Sequence, residues 1–137
     1  MTLHTVFIII FLISLSGCRD YGSSGKSNDN TSDSATLTWD AVSTRADGTP
    51  LNDLAGYKIY YGKSSRSYTE IAIKPIESTP ALCRKVDDDS DGIPDRTECK
   101  YTFNNLSPGI YYFSVTAYDS SGNESIFSNE VSRKIVR

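Results

Sequence analysis

Alternate residues from Tyr111 to Ala117 are apolar or aromatic (Tyr111, Phe113, Val115, Ala117), while Tyr112, Ser114, Thr116 and Tyr118 fill the positions between and after them. A period of two puts each set on its own face of a β-strand, so one face of this segment must pack against apolar material. Shorter stretches repeat the pattern. Leu37 and Trp39 share a side between Ala35 and Asp40, and Tyr57, Ile59 and Tyr61 alternate with Lys58 and Tyr60 up to Gly62. Residues 68–73 place Ile71 and Ile73 on one face, residues 101–103 give a short strand, and residues 128–135 close the set. Turn signals separate these segments, including Asp47-Gly48-Thr49-Pro50 in a long connection. With nine Tyr, five Phe, one Trp, nine Gly and five Pro in 137 residues, the composition favours strands and turns. The expectation is one all-β domain of about 100 residues, a two-sheet sandwich.

Charge and histidine content narrow the function. The formal net charge is -3, and Lys and Arg never run more than two in a row, so a nucleic-acid partner is not expected. The single His, His4, lies in an N-terminal apolar segment. A chain processed after that segment has no imidazole, which excludes Ser-His-Asp catalysis and His-ligated zinc. No Ser has an evident activating base, and the chain is not expected to be an enzyme.

Residues 6–15 read VFIIIFLISL, too short to span a bilayer but suited to the hydrophobic core of an export signal. Leu15-Ser16-Gly17-Cys18 resembles the lipobox of bacterial lipoproteins. The resemblance implies a signal peptide over residues 1–17, cleavage before Cys18, and lipid on the Cys18 thiol and new amino group. An ordinary secretory signal would instead leave Cys18 as an odd thiol in an oxidising compartment. With Cys18 lipidated, Cys83 and Cys99 remain as an even pair and the natural disulfide. Residues 20–34, DYGSSGKSNDNTSDS, have almost nothing to bury, so residues 18–33 read as a lipidated N-terminus and flexible tether. Arg19 follows Cys18, and by resemblance to the sorting rule of enteric bacteria this favours the outer membrane if the cell is Gram-negative; the expected location is the cell envelope, lipid-anchored.

From about residue 34 to 137 the chain resembles a bacterial fibronectin type III domain. The residues that carry this are Trp39, the run Gly56-Tyr57-Lys58-Ile59-Tyr60-Tyr61-Gly62, Leu106-Ser107-Pro108-Gly109, residues 118–125 (YDSSGNES) and Ser128-Asn129-Glu130-Val131. The resemblance implies a seven-stranded sandwich with Trp39, Tyr57 or Ile59, Leu106 and Val115 in or near the core. It also implies a tyrosine corner at Tyr111, or at Tyr112 as the alternative. The first strand of such a domain is not evident; it is either truncated or supplied by part of the tether. Tyr60, Tyr112 and Tyr118 alternate outward and are candidates for stacking against a ligand, whereas Trp39 reads as core.

An insertion occupies about residues 75–100, where the family has a short connection. Residues 87–98 read DDDSDGIPDRTE, six acids against one Arg. Asp87, Asp89, Asp91, Asp95 and Glu98 fall at loop positions one, three, five, nine and twelve, with Gly92 at six, which is a calcium-loop spacing. Their side chains and the Ile93 carbonyl form an all-oxygen ligand set for one Ca²⁺. The pattern resembles thrombospondin type 3 and EF-hand loops over these twelve residues. Pro94 and the absence of flanking helical periodicity argue against a paired EF-hand. Cys83 and Cys99 bracket the loop. The functional expectation is a lipid-anchored, non-enzymatic surface binding or adhesion module for a protein or glycan ligand. The alternative is a structural spacer or accessory subunit of an envelope or glycan-degrading complex.

Overall fold

The computed structural model describes residues 14–15, 33–77 and 82–136, all of them strands, turns and irregular segments with no helix. Eight strands follow in chain order: β1 (Ser14–Leu15), β2 (Ala35–Asp40), β3 (Leu54–Gly62), β4 (Glu70–Pro75), β5 (Cys83–Val86), β6 (Arg96–Phe103), β7 (Gly109–Asp119) and β8 (Val131–Ile135). They form two antiparallel sheets, β1-β2-β6-β5 and β4-β3-β7-β8, packed as a sandwich.

The alternation read in the sequence explains the core. Leu37 and Trp39 of β2, Tyr57 and Ile59 of β3, Cys99 of β6, and Phe113 and Val115 of β7 are each at most 1% exposed. Trp39 meets Tyr57 edge to face, with ring centroids 5.4 Å apart. Both Tyr57 and Ile59 point inward, and Leu106 closes one end. Burial raises the Tyr57 hydroxyl to about 12, so it stays protonated while accepting a hydrogen bond from the Val42 N–H at 3.0 Å. Tyr111, not Tyr112, makes the tyrosine corner: its ring is buried, and its hydroxyl lies 2.9 Å from Ser107 Oγ.

Three features differ from the sequence expectation. First, the insertion is not simply a loop that leaves and rejoins the sandwich. Its ends form β5 and the first half of an eight-residue β6, so a hairpin extends the sheet where a short strand at 101–103 was expected. Second, β8 begins at Val131 rather than at Ser128. Residues 125–128 run beside β7 instead, with the Ser125 hydroxyl accepting from Ala117 N–H and the Ser128 hydroxyl from Val115 N–H, each at 2.9 Å. Side-chain oxygens thus take places that backbone carbonyls hold in a ladder. Third, the strand beside β2 is supplied by Ser14–Leu15, which pair with Thr38 and Leu37. These two residues lie ahead of Cys18. The other residues of the expected signal peptide, Cys18, and the tether up to residue 32 lie outside the described residues.

Candidate metal-binding hairpin

The hairpin is built on a cross-strand disulfide. Cys83 and Cys99 are directly opposed in β5 and β6, and they are joined with Cα atoms 3.9 Å apart. The Lys100 N–H donates to the Leu82 carbonyl at 2.9 Å, so by alternation Cys83 and Cys99 form a non-hydrogen-bonded pair, in which opposed side chains come closest. Cys99 is fully buried against the core that contains Trp39. The hairpin base is therefore fixed to the sandwich, and the acidic segment forms its tip.

Within the tip, the spacing of Asp and Gly residues generates a tight coil. Asp87 accepts from Ser90 N–H at 2.7 Å through one oxygen and from Gly92 N–H at 2.8 Å through the other. Asp89 accepts from Asp91 N–H at 3.2 Å, and Asp91 accepts from Ile93 N–H at 2.7 Å, the two-residue turn typical of Asp. Gly92 has φ of +89°, a left-handed conformation that glycine adopts without steric cost. The backbone N–H of Gly92, and after it the Ser90 N–H, set the Asp87 carboxyl below its ordinary value, outweighing desolvation, which acts the other way.

This coil brings one carboxylate oxygen each of Asp87, Asp89 and Asp95 within 4.8 Å of one another. Asp95 also accepts from Asp88 N–H at 2.7 Å, tying the last turn of the tip to the first. The other acids of the run are differently engaged. Asp88 receives Arg96 Nε at 2.8 Å, and Arg96 reaches on to Asp40 at 2.8 Å. Glu98 sits in β6 opposite Asp40 and Arg84, in ion pairs with Arg84 at 3.2 Å and Arg96 at 3.5 Å. A strand advances about 3.3 Å per residue, so Glu98 lies roughly 10 Å beyond Asp95. Of the six expected ligands, the structure thus groups Asp87, Asp89 and Asp95; Asp91 and Ile93 remain in the same coil, and Glu98 stands apart. The spacing pattern could not reveal this, because it was matched to a loop whose twelfth residue folds back, whereas here that residue belongs to a sheet.

The donor set suits a hard divalent cation. It contains only oxygen, carries three negative charges at the convergent point, and offers no imidazole or free thiolate among the described residues.

The outward tyrosines are less available than alternation suggests. Tyr60 donates to Glu124 at 2.5 Å, and the same carboxylate takes Thr116 Oγ1 at 2.6 Å and Lys58 Nζ at 2.5 Å. Tyr118 lies beneath the Lys58 ammonium, 5.8 Å from ring centroid to nitrogen. The sequence did not flag Glu124 as the hub of this face.

A family model for the fibronectin type III domain matches residues 24–134. The chain belongs to the fibronectin type III family. No curated protein sequence matches it. Among solved structures it is similar to astrotactin-2, described as a conserved vertebrate-specific and perforin-like membrane protein involved in neuronal development, at 15% identity and a TM-score of 0.58. That match covers 96% of this chain but 22% of the other, so it speaks to one region of a much larger protein. The third fibronectin III domain of the human KIAA0343 protein matches at 19% identity with a TM-score of 0.42, covering 85% of this chain and 94% of that one. Likeness at these identities concerns the fold alone. Members of this family typically serve as non-catalytic scaffold and binding modules.

Proposed function

We propose that the protein is an exported, lipid-anchored, non-enzymatic binding module whose disulfide-stapled hairpin is stabilised by Ca²⁺ and is presented to a protein or glycan ligand at the cell surface. The observation that carries this reading is the convergence of Asp87, Asp89 and Asp95 at the tip of the β5–β6 hairpin. Three carboxylates at such separation repel one another, and a bound divalent ion offsets that repulsion. Asp91 and the Ile93 carbonyl supply further oxygens from the same coil, while Glu98 joins only by leaving Arg84 and Arg96. Ca²⁺ would act here as a structural charge that fixes the tip, with no part in catalysis.

The anchor half of the reading rests on the Leu15-Ser16-Gly17-Cys18 sequence. Cleavage before Cys18 also removes β1, so the processed domain would carry seven of the eight strands. A spacer or accessory role in an envelope complex is favoured instead by the outer sheet face, where Lys58, Tyr60 and Thr116 are all committed to Glu124.

Glycan-array binding and pull-down from envelope extract, each run with Ca²⁺ and with chelator, separate the two readings. Calcium-dependent retention of one ligand, lost with Asp89→Asn, is the expected result. Identical profiles with and without Ca²⁺ would leave a spacer as the better description.

A further inference from the structure

The sheet β4-β3-β7-β8 ends on β4, and no strand of the described residues lies along its far edge. The Ile76 N–H donates to the Ala55 carbonyl, which sets the alternation of the β3–β4 ladder. Glu70, Ala72 and Lys74 therefore bond to β3, and the backbone N–H and C=O groups of Ile71 and Ile73 point away from the sheet. The side chains of Ile71 and Ile73 are 55% and 58% exposed. Two neighbouring isoleucines on an unpaired edge form a surface that soluble proteins usually avoid.

The sequence of this edge, Glu70-Ile71-Ala72-Ile73-Lys74, is complementary to itself when reversed. Placed antiparallel to a second copy about a twofold axis at Ala72, each Glu70 faces Lys74 of the second copy. Each Ile71 faces Ile73 of the second copy at a position where both backbones offer N–H and C=O, giving four intermolecular hydrogen bonds. The four isoleucines then share one face. The Lys74 ammonium already lies over the Tyr101 ring at 4.0 Å, on the face where Glu70 of the second copy would arrive. The β5 and β8 edges lack this property: self-pairing of β5 sets Arg84 against Lys85, and self-pairing of β8 about its centre sets Arg133 against Arg133. Like charges directly opposed are destabilising.

We propose that β4 is a homodimerisation edge, through which two copies of this chain pair antiparallel about Ala72 and join their β4-β3-β7-β8 sheets into one continuous sheet. Isologous pairing of this kind closes on itself and leaves no further β4 edge for growth. The proposal depends on neither the lipid nor the metal.

Two experiments on the full chain test it. The first is zero-length carbodiimide coupling of the unmodified protein. Within one strand Glu70 and Lys74 are about 13 Å apart, too far for direct coupling, so a Lys74–Glu70 isopeptide can arise only between copies. Mass spectrometry of mixed isotope-labelled and unlabelled protein is expected to show that linkage. The second experiment uses Ala72→Cys, whose position at the twofold is of the same non-hydrogen-bonded type as the Cys83–Cys99 pair. Oxidation is expected to give a dimer linked through the substituted position. Adding Glu70→Lys should lower its yield about tenfold, and Glu70→Lys with Lys74→Glu should restore it, since the opposite charges again face each other. Absence of the isopeptide, or a disulfide dimer indifferent to the charge changes, would overturn the proposal.

Discussion

Asp119 is 3% exposed, and its carboxylate takes hydrogen bonds from Ser121 N–H at 3.0 Å, Asn123 N–H at 2.9 Å and Asn123 Nδ2 at 2.9 Å, with Arg45 Nη1 at 3.4 Å. Burial alone would raise this carboxyl, but the Asn123 and Arg45 bonds outweigh it and hold the group below its ordinary value. Asp119→Ala leaves those donors without their acceptor and should cost about 1–3 kcal/mol in urea unfolding. A carboxyl depressed by folding contributes stability that is complete above its unfolded value, about 4, and is lost as pH falls through the folded value. The urea midpoint should therefore stay flat from about pH 7 to about pH 5 and fall below about pH 4, and Asp119→Ala should lessen that fall. Gly56 makes a second residue-level test. A Cβ there would lie 2.4 Å from the Lys74 carbonyl oxygen and 2.9 Å from Pro75 Cα, so Gly56→Ala should destabilise by about 1–3 kcal/mol through backbone displacement. Trp39 and Val115 were legible as core because strand alternation reports burial directly. Arg45 was not: it lies in the long connection between β2 and β3, yet its guanidinium turns inward to Asp53 and Asp119, partners fixed only by the fold.

The β5–β6 hairpin shows where sequence reading succeeded and failed within one element. Its disulfide followed from counting cysteines, and its acidic coil from Asp and Gly spacing. The strand β5 was missed because Cys83-Arg84-Lys85-Val86 has too few apolar residues to show a period; its register exists only against residues 96–99. For the same reason Glu98 was assigned to a metal loop, although β pairing places it between Arg84 and Asp40. The disulfide closes a loop with a sequence separation of 16, worth roughly 3 kcal/mol in the chain-entropy model. Cys83→Ala with Cys99→Ala should retain the sandwich signature in far-ultraviolet circular dichroism. Limited proteolysis should then cut first within residues 84–98, which the oxidised protein protects.

At the scale of the molecule, two packed sheets form the base, and a cluster of carboxylates is gathered at one hairpin tip. The two-sheet sandwich was legible in outline because most strands other than β5 carry their own alternation. The identity of the strand beside β2 was not, since Ser14–Leu15 belong to an apolar run that reads as an export signal. Mass spectrometry of the native N-terminus should find a lipidated Cys18; an unprocessed Met1 would mean that β1 remains part of the mature fold. The central claim, that Asp87, Asp89 and Asp95 organise a calcium site, is tested most directly by calorimetric titration of the processed, disulfide-intact chain in detergent with Ca²⁺, paired with thermal unfolding. One ion should bind with Kd near 10⁻⁴ to 10⁻³ M, as in extracellular calcium modules. At about 10 mM Ca²⁺ this corresponds to about 1.4–2.7 kcal/mol of added stability, or a melting temperature higher by at least about 5 °C. Asp89→Asn should abolish the heat and the shift, whereas Glu98→Gln should leave most of both. No binding heat and no thermal shift at about 10 mM Ca²⁺ would contradict the account and leave the tip an acidic surface coil held by its own hydrogen bonds.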